Sequence, residues 1–396
     1  MKKQIVLATA ATLLTSSAWA TKARMSALGQ DTDRGSHHIS DSRNVFRNAA
    51  NINSMKNYVV TEWGNSAATV PSNTAPNAEG GFFREAGAFA YGLYMGSDVS
   101  DQNRHATTTG YANAGGATGT HGNTGFQDRS NDLDLFFGGD MGVEWGARVH
   151  YASGSSESAT AGIAKKEQST LALGLGVVAG DLNAYVNYMI NDEMKNDGTA
   201  TTGVKWEDDG SMNLGVGYNW MDFTFFADYD KKGGEYSAGG TALKDTTEQT
   251  ELTIGAGYTK EVSSTSRMFT DVSFVKLDAE DKDGAAPASK VELSRTKLPV
   301  TVGFEADATS WLTLRGSISQ NVFLNSEKSK SGTAKEVKST IDNTTNVNAG
   351  ATLNFGKLKV DGMIGTGGTN GTATATDAGT LSLDRLMTQV AVHYWF

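Results

Sequence analysis

The chain has 396 residues, of which 46 are Gly, only 4 are Pro and none is Cys. Its formal net charge of −10 excludes an extended basic surface for nucleic acid. The lack of thiols excludes disulfides, a lipid anchor on Cys and Cys-metal chemistry. Residues 1–20 read as a secretory signal. Lys2 and Lys3 give the positive start, Ile5 to Leu14 the apolar stretch, and Ala18-Trp19-Ala20 an A-x-A cleavage pattern. That stretch is too short for an anchor helix, so Thr21 is the expected first residue of the processed chain. Losing the two lysines takes the formal charge from −10 to −12.

Residues 21–56 lack strand alternation and are expected to form either a periplasmic tail or a segment that plugs the lumen of a barrel built from residues 57–396. Two stretches stand out, Ala23-Arg24-Met25-Ser26-Ala27-Leu28-Gly29 and Asp41 to Ile52. They resemble the N-terminal region of the long-chain fatty-acid transporter superfamily over about thirty residues. Those proteins carry Arg-x-x-x-Leu-Gly, an Asp-rich stretch and Asn-Pro-Ala-Gly. Here Asn48-Ala49-Ala50-Asn51 has Ala for the Pro and Asn for the Gly. The resemblance implies a segment folded into or beneath a barrel.

From residue 57 onward, period-two alternation recurs. Val143, Trp145, Ala147, Val149 and Tyr151 oppose Glu144, Gly146, Arg148 and His150. Leu171, Leu173, Leu175 and Val177 oppose Thr170, Ala172, Gly174 and Gly176, and Leu214, Val216, Tyr218 and Trp220 oppose Asn213, Gly215, Gly217 and Asn219. The pattern returns in 182–190, 252–258, 312–318, 347–355 and 358–364. One wholly apolar face per strand means a sheet between two different environments. No apolar run after residue 20 is long enough for a membrane helix, but a membrane barrel needs only every second strand residue to be apolar.

The connections alternate too. Short turns are expected near Gly138-Gly139-Asp140, Gly180-Asp181, Trp220-Met221-Asp222 and Phe355-Gly356-Lys357, with slightly longer ones at 263–266 and 307–310. Between them lie long polar segments at 97–130, 153–168, 191–204, 231–246, 279–290, 325–340 and 366–380. Short periplasmic turns and long extracellular loops are the mark of an outer-membrane barrel, and an even strand count puts both termini in the periplasm. Residues 81–96 as one strand would set Glu85 on the lipid face with Phe83, Phe89, Tyr91 and Leu93. A break at Glu85-Ala86-Gly87 avoids that. The fold class is therefore all-β, a transmembrane antiparallel β-barrel of about sixteen strands over 57–396, with fourteen as the alternative. Aromatic residues near strand ends, among them Trp63, Tyr94, Trp145, Tyr151, Trp220, Trp311 and Tyr394, are expected to form two girdles at the membrane boundaries.

The expected pore-lining residues are Glu144, Arg148, His150, Asp228, Asp271, Glu305, Arg315 and Lys359, all on polar faces. Ionised groups at membrane depth need water or a partner. Such a lumen is expected to be wet, which favours a diffusion channel over a greasy conduit. The opposing reading has these charges pair and fill the lumen, but a ring of fourteen or sixteen strands encloses too much space for side chains alone. The 97–130 stretch, with Arg104, His105, His121 and Arg129, could either narrow the pore or lie at the surface.

No enzyme chemistry is legible. The six His make no zinc spacing, His150 has no Ser motif, and Gly174-Leu175-Gly176 lies inside a strand. No cofactor, metal or catalytic residue is expected. The chain ends Val392-His393-Tyr394-Trp395-Phe396, with Phe396, Tyr394, Val392 and Val390 on one face. This resembles the closing strand of bacterial outer-membrane barrels, the signal read by the barrel-assembly machinery. The expected function is a porin-like channel for diffusion of small hydrophilic solutes and ions, in contact with outer-membrane lipid and lipopolysaccharide. A homotrimer is the assembly that a porin reading suggests. The alternatives are a selective transporter of the fatty-acid type and a structural or adhesive surface barrel.

Overall fold

A computed structural model describes residues 21–63, 78–97, 132–157, 165–197, 203–238, 244–282, 284, 290–340, 345–366 and 386–396. Residues 1–20, with the expected signal, and nearly all of the 97–130 stretch lie outside them. The described chain opens with helix α1 (Lys22–Ala27), helix α2 (Asn44–Arg47) and a 3-10 turn (Ala49–Ser54). The first strands are β1 (Tyr58–Trp63), β2 (Ala78–Ala86), β3 (Phe89–Met95), β4 (Leu133–Asp140), β5 (Glu144–Ser156) and β6 (Lys166–Ala179). Then come β7 (Leu182–Asn196), β8 (Val204–Asp208), β9 (Met212–Trp220), β10 (Phe223–Ala238), β11 (Lys244–Ser263) and β12 (Ser266–Lys282). The last are β13 (Lys290–Thr309), β14 (Leu312–Ser331), β15 (Val337–Thr340), β16 (Asn346–Phe355), β17 (Leu358–Thr366) and β18 (Leu386–Trp395).

Each strand pairs antiparallel with its neighbours, and β1 pairs with β18 from Tyr58↔Trp395 to Trp63↔Val390, closing the ring. Strands β8 and β9 both lie between β7 and β10, so they form one interrupted stave. Strands β15 and β16 share a stave beside β14 in the same way. The wall is thus a closed barrel of sixteen staves, as a chain break at Glu85 requires. The β2–β3 hairpin turns at Gly87, whose φ of +64° suits a residue without Cβ. The fourteen-strand alternative fails because β1 is part of the wall.

Alternation sorts the side chains as expected. Leu135, Val149, Leu175, Val216, Ile254, Val272 and Ile318 point outward, each at least 40 % exposed. Arg148, His150, Asn187, Asn213, Ser273, Thr313 and Gln389 point inward and are buried. An apolar belt of this extent would not persist in water; it needs lipid around it. Val390, Val392, Tyr394 and Phe396 lie on the outer side of the closing strand, and His393 on the inner.

Two expectations change. Tyr94 is not a girdle residue: it points inward, 2 % exposed, because its hydroxyl meets Arg43 and Glu62 there. Most of the long polar segments begin and end as strand. Residues Lys231–Ala238, Ala279–Lys282 and Asn325–Ser331 continue β10, β12 and β14, and β11, β13 and β14 each run 20 residues. Roughly 9–11 residues cross a bilayer, so the wall rises far beyond the membrane on the loop side. Both faces are wet there, which removes the apolar alternation while leaving the backbone ladder intact.

Candidate functional site: the segment inside the ring

Residues 21–56 lie within the barrel, in the half nearer the short turns. Small residues on the inner wall make the fit possible. A Cβ on Gly350 would stand 2.7 Å from the Ala27 Cβ, and one on Gly138 would stand 2.5 Å from the Ile52 methyl. The largest apolar contact has Val45, Phe46, Ile52 and Met55 packed on Tyr58, Val60, Phe83, Tyr94 and Phe136, and smaller ones set Met25, Leu28 and Ile39 on Phe269 and Ala23 and Ala27 on Met363. Polar contacts run around the ring between them.

The strongest attachment is at Glu305 on β13. Its carboxylate accepts Arg24 Nε at 2.7 Å and Arg24 Nη2 at 3.2 Å, a two-pronged pair. It also accepts Arg267 at 2.8 Å and Arg315 at 3.1 Å. Arg24 reaches further to Asp41 at 3.2 Å and to the Ser40 carbonyl at 2.9 Å. Arg315 continues to Asp361 at 3.3 Å and to Thr352. Three staves away on β10, Arg34 holds Asp230 at 3.0 Å, and His37 Nε2 meets Asp228 at 2.7 Å with its ring stacked 4.4 Å from that of Phe226. Gln30 donates to Asp271 at 3.0 Å. On β1 and β2, Arg43 lies 3.6 Å from Glu62 and 3.4 Å from Glu79, with its guanidinium over the Phe46 ring. Backbone contacts add to this: Asn48 donates to the Val177 carbonyl, Asn53 to that of Trp145, and Ser317 to that of Ala27.

The charge of the inserted groups follows from burial and neighbours. Burial alone would lower the pKa of Arg24, but Glu305 and Asp41 reverse this and raise it. Asp41 is pushed up to about 6 by burial, against the pull of Arg24. Asp31 is also opposed by burial, yet Arg34 and Arg47 hold it below its usual value. His38 is pushed down to about 3 by burial, with His37 and Arg47 adding to the effect. His37 has two opposing influences: burial, Arg47 and Arg34 lower it, and Asp228 raises it. The direction is downward, although His37 Nε2 stands 2.7 Å from Asp228.

The expected pore residues take these positions. Glu305, Arg315, Asp228 and Asp271 are inward and tied to the inserted segment or to one another. Arg148 and His150 share Asp134, at 2.7 and 2.9 Å, and Arg148 lies over the Phe46 ring. Glu144 faces Asp140 across its hairpin at the turn end. Lys359 lies 5.3 Å from the Trp395 ring centroid. Sequence reasoning did not foresee that Arg24, Arg34, His37 and Arg43 pair with inward wall carboxylates. The available signal was four arginines in 24 to 47 beside an acid-rich set of inward wall positions.

Among the described residues, cavities adjoin the segment at the turn end. One of about 590 Å³ is lined by Arg24, Arg267, Glu305, Asp307, Arg315 and Lys359, among others. Another of about 210 Å³ lies beside His37, His38 and Arg47. Among the described residues, no group of three His, Asp or Glu is placed to hold a metal ion.

A closed ring with an apolar belt outside and charged groups within satisfies every backbone group and faces lipid only with apolar side chains. The chain is an outer-membrane β-barrel. No protein-family model and no curated protein matches its sequence. Among solved structures it is similar to the Ralstonia pickettii toluene transporter TbuX, at 12% identity over 96% of this chain and 98% of that one, with a TM-score of 0.37. It is similar to a mutant of the monoaromatic hydrocarbon channel TodX at 9% identity over 96% and 99%, with a TM-score of 0.39. It is similar to a mutant Rh. blastica porin at 11% identity over 86% and 99%, with a TM-score of 0.31. Likeness at this level says nothing about what is transported.

Proposed function

We propose that the protein is a gated channel for small polar solutes, with residues 21–56 as the gate. The observation that carries this reading is the polar, ion-paired contact between the segment and the wall. Hydrophobic burial gives no such directional hold, and a contact built from charged hydrogen bonds can be released when water re-enters. The wall beyond the segment is charged as well, with Asp230, Lys232, Glu251, Arg295, Lys297 and Glu327 on inner positions. A solute in that space meets donors and acceptors of both signs. In this reading diffusion through the wet lumen waits on a barrier that must yield.

One observation favours a second reading. The apolar contact of Phe46, Ile52 and Met55 with Phe83 and Phe136 could receive an apolar ligand if the segment shifted, as a transporter of the fatty-acid type would require. Proteoliposomes separate the two. The polar reading expects swelling in isotonic arabinose or glycine that is slow and rises when the segment is loosened, with no accelerated uptake of toluene. Toluene uptake without sugar or amino-acid flux would overturn it in favour of the apolar reading.

A further inference from the structure

Thr21 sits inside the ring rather than at its mouth. Its hydroxyl donates to Asp361 Oδ2 at 3.0 Å and accepts from the Arg24 amide at 3.4 Å. The next amide, that of Lys22, donates to Glu62 Oε2 at 2.7 Å. Glu62 on β1 and Asp361 on β17 flank β18, and both pair with Ala391, so they stand at one height on either side of one strand. Both are inward, with Glu62 4 % and Asp361 1 % exposed.

The charges nearby are uneven. Lys22 Nζ reaches Glu79 at 2.6 Å and Asp33 at 3.3 Å, and Arg43 reaches Glu62 at 3.6 Å and Glu79 at 3.4 Å. Three carboxylates thus share two cations through these contacts. Covalent geometry puts the Thr21 nitrogen about 3 Å from its own hydroxyl oxygen, hence within about 6 Å of the Asp361 carboxylate. As a peptide nitrogen it brings no charge to this place. As a free amine it brings a cation to the two acids that flank it, where the low dielectric makes the attraction strong.

We propose that Glu62 and Asp361 form a receptor for the amino terminus freed at the Ala20–Thr21 bond, so that the gate seats fully only in the processed chain. Hydrolysis of that bond by a peptidase consumes one water and leaves a carboxylate on Ala20 and an ammonium on Thr21. The ammonium then adds a cation between Glu62 and Asp361, beside the Arg315 that meets Asp361 at 3.3 Å. The inference rests on reading residues 21–56 as the gate.

The test compares three forms of the full barrel: one beginning at Thr21, one with its amino group acetylated, and one with Gly-Ser added before Thr21. Two quantities are read, tryptic cleavage in the 24–47 stretch and the amine pKa by carbon NMR of the ¹³C-dimethylated terminus. The authentic form is expected to resist trypsin about tenfold longer than the other two, matching an amine pKa at least about one unit above the ordinary value near 8. Glu62→Gln and Asp361→Asn should lower that pKa in the authentic form and shrink the difference in cleavage rate between the authentic and acetylated forms. Equal protection of all three forms, with an ordinary amine pKa, would overturn the receptor and leave the gate standing. Rapid cleavage of the authentic form as well would overturn both.

Discussion

Glu305→Ala is expected to unseat the inserted segment while leaving the barrel assembled. The carboxylate is the common acceptor of Arg24, Arg267 and Arg315. Arg24 and Arg315 are 1 % and 3 % exposed. Breaking a buried ion pair from one side strands the other charge and costs about 3–5 kcal/mol. The wall has an alternative for Arg315, which keeps Asp361 and Thr352. The segment retains only Asp41 and a carbonyl for Arg24, both carried by itself. The loss therefore falls on docking rather than on the strand ladder. Asp271→Ala removes one neutral–charged hydrogen bond to Gln30 and should cost about 1–3 kcal/mol at most. Trypsin sensitivity at Arg34, Arg43 and Arg47, read beside heat-modifiable migration of the barrel, distinguishes the two. Equal protection of Glu305→Ala and the unaltered protein would refute the assigned role of Glu305.

Acid should also loosen the hold that His37 and His38 give the segment. His37 and His38 are held below their ordinary value of 6.5 when docked, so they favour docking above about 6.5. That support is lost as the pH falls from there, His38 taking up its proton in the docked state only near pH 3. Asp41 acts in the opposite sense: its docked value of about 6 exceeds its ordinary 3.8, so it favours docking as the pH falls between these values. The imidazole contribution should weaken docking by up to about tenfold per pH unit per proton taken up below pH 6.5. His37→Phe with His38→Gln should remove it, and Asp41→Asn should remove the opposing contribution. Flux through proteoliposomes at pH 7.5 and 5 measures this; a pH response of the double variant equal to that of the unaltered protein would contradict the assignment.

The sixteen-stave wall was legible because lipid and lumen impose opposite polarity on neighbouring residues, as Ala147 and Arg148 illustrate. Glu85 revealed the β2–β3 hairpin for the same reason. The upper wall was not legible, since at Glu248-Gln249-Thr250 and Glu280-Asp281-Lys282 both faces meet water and nothing demands alternation. The partners of the inward charges were hidden by distance along the chain. Arg24 and Glu305 are 281 residues apart, and no local pattern links them. Tyr94 was misplaced because an aromatic near a strand end suits a membrane boundary, whereas its hydroxyl is claimed by Arg43 and Glu62. The inserted segment itself announced only its lack of alternation.

The central claim is that residues 21–56 must move for solute to pass. The chain has no cysteine, so a single introduced disulfide can test it. A Cβ on Gly29 would stand 3.6 Å from that of Ser317 on β14, inside the span of roughly 3.5–4.5 Å found for disulfide Cβ pairs. Gly29 has φ +68°, so a cysteine there costs about 1–2 kcal/mol, which the bond can offset. The measurement is planar-bilayer current through Gly29→Cys/Ser317→Cys, oxidised and then reduced in the same membrane. The oxidised protein should stay closed, and reductant should restore brief openings. Steady currents of equal size in both states would contradict the account.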